Sequence, residues 1–122
     1  MQRVLVVDDD PGVRSVLCEA LSMAGFEVEE AADGVAALRQ VESFKPDLVV
    51  LDIVMPEKEG IETIMDLRRA HKTVPILVMS GGGAAGPDGY LVPAIKLGAD
   101  RSLAKPFRID VFLEVVRDLL KG

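Results

Sequence analysis

Apolar residues along this chain fall into two kinds of run. Short stretches occur at residues 4–7, 26–28, 48–51 and 76–79, with a weaker one at 101–104. Those at 4–7, 48–51 and 76–79 are unbroken by polar residues, which predicts strands buried on both faces. Between the runs the period becomes helical. Val13, Val16, Leu17, Ala20, Leu21 and Ala24 recur at i, i+3, i+4, i+7, i+8 and i+11, one face of a helix. Asp10 suits its N-cap, Pro11 its first position, and Gly25 can end it. A second helix is predicted over 35–44, with Asp33 near its cap and Leu38 and Val41 inward. A third covers 61–70, with Ile61, Ile64, Met65 and Arg68 on one stripe. The last runs from about residue 109 to 120, with Phe112, Val115, Val116 and Leu119 inward. Between the last two strands Pro93 would clash inside a helix begun near Asp88, so a short helix starting near Pro93 is expected.

The resulting order, βαβαβαβαβα with short connections, predicts one α/β domain over residues 1–122, a parallel sheet with helices on both faces. Only the stretch "SGGGAAGPDG" reads as a long irregular loop. In open parallel sheets, ligands bind beyond the carboxyl ends of the strands, where the strand order reverses. The residues at those ends are therefore the ones to inspect. Asp8, Asp9 and Asp10 follow the first strand, and Asp52 ends the third. Ser80 follows the fourth, and Lys105 closes the fifth, just before Pro106.

Each of these has an ordinary explanation when taken singly. An Asp after a strand is often a helix cap, a Ser before glycines a turn residue, a Lys before proline a solvated cation. Their coincidence at four strand ends is what turns do not explain. Asp10 separates from the group as the helix cap. Asp8, Asp9 and Asp52 cannot all stay ionised a few ångströms apart without a cation. Mg²⁺ takes oxygen ligands and commonly combines one or two carboxylates with water and phosphate oxygens. Three carboxylates set against Mg²⁺ and the Lys105 ammonium make a neutral site able to accept a phosphoryl group.

Composition narrows the partners. The formal net charge of −6 argues against nucleic acid as a direct partner. Every apolar stretch is interrupted by charged residues, so no membrane span is expected. The N-terminal residues lack a signal-peptide layout, and the lone Cys18 excludes an internal disulfide. Both fit a cytoplasmic location with reduced thiols. Cys18 reads as helix packing rather than chemistry, since nothing basic stands close to it in sequence. The sole histidine, His71, lies near the end of the third predicted helix, away from the strand ends, so a phosphoryl donor has to be another molecule.

The residues at the strand ends also resemble a known family. "VLVVDDDPGVR", "PDLVVLDIVMPEKEGIE", "PILVMSGG" and "LGADRSLAKPF" are similar, in order and spacing, to the receiver domain of two-component response regulators. The resemblance covers nearly the whole chain. It implies a flavodoxin-like doubly wound fold with strand order 2-1-3-4-5. It also implies a switch rather than an enzyme, in which Asp52 takes a phosphoryl group from the phosphohistidine of a sensor histidine kinase or histidine phosphotransfer protein. Asp9, Asp52 and the backbone carbonyl of Val54 are then the direct Mg²⁺ ligands, with Asp8 acting through water. Ser80 and Lys105 are the ligands of the phosphoryl oxygens, and the Lys105–Pro106 peptide is cis. A downstream effector is implied but not identified.

The chain departs from the family pattern in three places. Ser102 stands where receivers usually carry Tyr or Phe, the ring that turns inward on activation. The loop after Ser80 is longer and richer in glycine than usual, and the helix before the fifth strand is cut short by Pro93. Without the ring, two outcomes are open: the response moves to residues 81–92, with Tyr90 standing in for the ring, or that loop is mobile in both states and Tyr90 only covers apolar surface. Two other readings compete. A haloacid-dehalogenase-like phosphatase also uses an Asp after its first strand, but its cap insertion has no room in 122 residues. A constitutive binding domain that lost its switch is opposed by the intact acids and Lys105.

Overall fold

Unbroken apolar strands can be buried only where both faces of a sheet are covered, and this chain covers both. The computed structural model describes residues 2–52, 59–70, 73–80 and 98–121. Strands β1 (Arg3–Val7), β2 (Glu27–Ala31), β3 (Leu48–Asp52), β4 (Ile76–Ser80) and β5 (Arg101–Ala104) form one parallel sheet. Its order is β2-β1-β3-β4-β5, the order the family resemblance implies. Helices α1 (Pro11–Met23), α2 (Gly34–Phe44), α3 (Glu59–Ala70) and α4 (Ile109–Leu120) complete the described elements. The short helix expected near Pro93 lies outside the described residues.

Side-chain alternation divides the core into two. Val4 and Val6, Leu48 and Val50, and Leu77 and Met79 face Leu17, Leu21, Phe112, Val115 and Val116 of α1 and α4. Leu5 and Val7, Val49 and Leu51, and Ile76 and Val78 face Ala37, Val41, Phe44, Ile64 and Leu67 of α2 and α3. All twelve of these strand residues have no solvent exposure, so each contributes about 1.5–3 kcal/mol of burial before the entropy of ordering is subtracted. That makes the centre of the sheet its most firmly held part.

Local signals set the helix boundaries. The Asp10 carboxylate accepts from the Gly12 and Val13 amides at 2.9 and 3.3 Å, and Asp33 accepts from the Ala36 amide at 2.8 Å. Both are side-chain N-caps. After α1 the chain turns at Gly25, whose φ of +97° lies in the region glycine tolerates.

Three details differ from the sequence pattern. The second strand runs over Glu27–Ala31 rather than 26–28, and Glu27, Glu29 and Glu30 are exposed. It is an edge strand, and charge on an edge discourages pairing with another chain; that same charge hides its apolar signal. Val16 is 54% exposed although it falls on the apolar stripe of α1, because the helix meets the sheet mainly through Leu17 and Leu21. In α3 the inward face is Thr63, Ile64 and Leu67, while Met65 is exposed. The Arg68 side chain turns aside to donate to the Gly98 and Val74 carbonyls and to the Asp100 carboxylate.

Candidate functional site

Strand register brings the chemistry to one end of the sheet. Val7 is paired with Leu51, so Asp8 and Asp52 leave neighbouring central strands side by side. Asp52 pairs with Met79, which places the Ser80 backbone one step further along β4. Ser80 in turn pairs with Ala104, the residue before Lys105. Each step follows from parallel pairing, which keeps residues at equal depth together however far apart they stand in sequence.

The carboxylates converge. Oxygens of Asp8, Asp9 and Asp52 all lie within 4.8 Å of one another, with Asp8 and Asp52 buried and Asp9 exposed. Lys105 Nζ lies 3.0 Å from Asp52 Oδ2 and 3.3 Å from Asp8 Oδ2, donating to both. The other Asp8 oxygen accepts from the Asp10 amide at 2.9 Å. Asp10 itself is occupied in capping α1, so the triple acid divides as its sequence suggests, one cap and two site groups. The Lys105–Pro106 peptide is cis. Side-chain placement of Ser80, the Val54 carbonyl, His71, Tyr90 and the loop over 81–92 lies outside the described residues.

Electrostatics favour a cation at this site. Burial alone pushes the Lys105 ammonium towards a lower pKa, but the charge and hydrogen bond of Asp52, reinforced by Asp8, outweigh it and hold the pKa above its ordinary value. Among the described residues, one ammonium faces three carboxylates, an excess of negative charge. Two of those carboxylates are almost fully buried, where unpaired charge is costly. An all-oxygen set with that excess fits a hard divalent cation. Cys18 is different in kind: burial, and then Glu30, push its thiol up to about 11, partly offset by Arg14. It is a packing residue, not a nucleophile.

One residue at this site escaped the sequence pattern. Arg14, in the second turn of α1, donates from Nη1 to the Asp8 carbonyl at 2.7 Å and from Nε to Glu30 Oε1 at 2.6 Å. The signal was available, because long side chains on a helix lean back over the preceding turn. An Arg four residues after Asp10 therefore reaches the acid loop.

A parallel sheet with a buried acid cluster and a lysine at its carboxyl edge has the charges to hold a divalent cation beside a phosphoryl group. Comparison with known proteins supplies the family. The model of the response regulator receiver domain matches residues 4–117, and the chain belongs to that family, the receivers of two-component systems. The response regulator MprA of Mycobacterium ulcerans is 41% identical over 119 residues, 98% of this chain and 50% of the relative. The chain thus spans about half the length of the curated relatives it matches. Among solved structures, the receiver domain of NtrX from Brucella abortus is 30% identical with a TM-score of 0.90, covering 98% of both chains. The chemotaxis protein CheY4 of Vibrio cholerae is 32% identical with a TM-score of 0.87, covering 98% of this chain and 99% of that one. No helix among the described residues is long and apolar enough to cross a membrane.

Proposed function

We propose that residues 1–122 act as one phosphorylation-dependent switch in which Asp52 accepts a phosphoryl group. The observation that carries this reading is the Lys105 ammonium 3.0 Å from a buried Asp52 carboxylate, within a cluster holding two further acids. An Asp52 oxygen attacks phosphorus in line with the leaving group. A P–O bond forms as the P–N bond of a phosphohistidine breaks, and the imidazole leaves with the electron pair. Asp8, Asp9, Asp52 and the Val54 carbonyl would hold Mg²⁺, which would supply charge neutralisation at the phosphoryl oxygens. Lys105 exchanges its carboxylate partner for a phosphoryl oxygen, keeping its charge paired throughout. The Ser80 hydroxyl donates to another.

Membership of the receiver family makes the donor a sensor histidine kinase or a histidine phosphotransfer protein. The output is binding to a downstream effector, in the cytoplasm, with no direct contact to nucleic acid and no turnover of a separate substrate. Incubation with acetyl phosphate and Mg²⁺, read by intact mass, tests the reading. One phosphoryl adduct is expected, and Asp52→Asn removes it. Steady release of phosphate without an adduct points to a phosphatase, and no reaction to a constitutive binding domain. Strong labelling of Asp52→Asn at another acid refutes the assignment.

A further inference from the structure

Asp8 and Asp9 do unlike things from adjacent positions. Asp8 turns inward to Lys105 and the Asp10 amide with no exposure, while Asp9 stays exposed. The peptide plane between them decides how both side chains can point, because its rotation moves ψ of Asp8 and φ of Asp9 together. Its amide hydrogen belongs to Asp9 and its oxygen to Asp8. That oxygen receives the Arg14 guanidinium at 2.7 Å. The Asp8 amide, one plane earlier, donates to the Ala31 carbonyl at 3.1 Å.

Arg14 is itself anchored. Its backbone amide donates to the Asp10 carbonyl at 3.0 Å, opening the hydrogen-bond ladder of α1. Its Nε pairs with Glu30 of β2 at 2.6 Å, and its side chain is only 16% exposed. The guanidinium is a rigid fork whose two arms serve two partners at once, a geometry an ammonium on a flexible stem does not reproduce. It touches no carboxylate of the acid cluster. It acts on the cluster through the backbone.

We propose that Arg14 is a positioning residue for the cation site, fixing the Asp8–Asp9 peptide plane so that both acids are preset before the ion arrives. The inference rests on the reading of Asp8, Asp9 and Asp52 as Mg²⁺ ligands. It has a rival of opposite sign: a guanidinium this near three acids also repels a cation, so a purely electrostatic Arg14 weakens binding rather than supporting it.

The test is a Mg²⁺ titration of the full chain at constant ionic strength, followed by amide NMR shifts, on wild type, Arg14→Lys and Arg14→Gln. Positioning predicts that both variants bind roughly tenfold more weakly, the usual scale for loss of a group that orients a ligand. It also predicts a displaced Asp9 amide ¹⁵N resonance in the metal-free variants, which a role confined to helix stability does not move. Wild-type affinity in Arg14→Lys, or tighter binding in Arg14→Gln, overturns the proposal. Glu30→Gln provides a milder variant, leaving Arg14 charged but weakening its anchor from a charged acceptor to a neutral one. Glu29→Gln removes the same charge from the same strand without touching Arg14 and serves as its control. A several-fold loss in Glu30→Gln beyond the control supports positioning, and equal affinities overturn it, even if neither Arg14 variant folds. Failure of the wild type to bind Mg²⁺ overturns the ligand reading and this inference together. Binding that is indifferent to Arg14 overturns this inference alone.

Discussion

Replacing Lys105 by Met keeps the stem of the side chain and removes its charge. In the native site that charge lies 3.0 Å from Asp52 and 3.3 Å from Asp8, whose side chains are 7% and 0% exposed. Removing one partner of a fully buried ion pair costs about 3–5 kcal/mol, because the other charge stays behind unpaired. The Lys105 side chain is 21% exposed, so water screens part of the interaction and the lower range, about 2–3 kcal/mol, applies here. With a urea slope of roughly 1–3 kcal/mol per molar, that shifts the unfolding midpoint by about 1–2 M, well outside error. The assay is urea unfolding in EDTA and again in millimolar Mg²⁺. A cation that binds only the native state stabilises in proportion to its affinity, and the variant site is one charge more negative. Mg²⁺ is therefore expected to stabilise Lys105→Met more than wild type and to close much of the gap. The pH dependence has a defined sign. The folded pKa of Lys105 is raised, so its contribution is complete below the unfolded value of about 10.4 and is lost as pH rises through the higher folded value. The difference between wild type and variant should hold through neutral pH and shrink only in strong alkali. Equal stability of the two proteins in EDTA, or an equal gain from Mg²⁺, refutes the account of Lys105 as the site's resident counter-charge.

Two further outcomes follow from the geometry. Asp9→Ala removes a member of the acid cluster and should weaken Mg²⁺ binding far more than Asp10→Ala, which removes a helix cap and should instead lower stability by about 1 kcal/mol; calorimetric titration and thermal melts separate the two. Gly98→Ala should destabilise the fold by more than 1 kcal/mol, because φ is +123° there and a new Cβ would sit 2.9 Å from Arg68 Cγ, which is held by three partners; the melt of Gly98→Ala against Arg68→Ala checks whether the clash or the lost clamp costs more.

The central strands were legible because burial on both faces forces an unbroken apolar run, and residues 4–7, 48–51 and 76–79 carry one each. The edge strand β2 was legible only in part. Its glutamates protect an exposed edge and so erase the apolar signal that marks a strand. Helix positions and the centres of their buried faces were found by period, but the width of each apolar stripe was not, as exposed Val16 and Met65 illustrate. A helix touching a sheet through two or three residues leaves the flanks of its apolar stripe in water. The convergence of Asp8, Asp9, Asp52 and Lys105 followed from parallel topology alone, since each closes a strand. Arg14 did not, because its reach shows only once the lean of helix side chains over the preceding turn is considered, and its partners are a carbonyl and an edge carboxylate.

The two halves of the site are held with unequal firmness. The acids leave β1 and β3, whose apolar residues have no exposure and which are paired on both sides. Lys105 leaves β5, a four-residue edge strand with both ends exposed and its middle half-buried. Local opening begins where buried contacts are few and backbone bonds reach solvent, which is the lysine side and not the acid side. The acids therefore stand on the more firmly packed strands and the lysine on the less firmly packed one. Just beyond that lysine, the ring of Phe107 is stacked on buried Phe112 of α4 with centroids 5.7 Å apart. Receivers usually carry a second ring in the fifth strand, but here Ser102 is paired with Val78 and supplies none. Among the described residues, the ring contact nearest the site is thus that of Phe107 on Phe112 of α4. That stack sets Lys105 two residues along the chain from a ring packed on the helix that covers Val4, Val6 and Leu77.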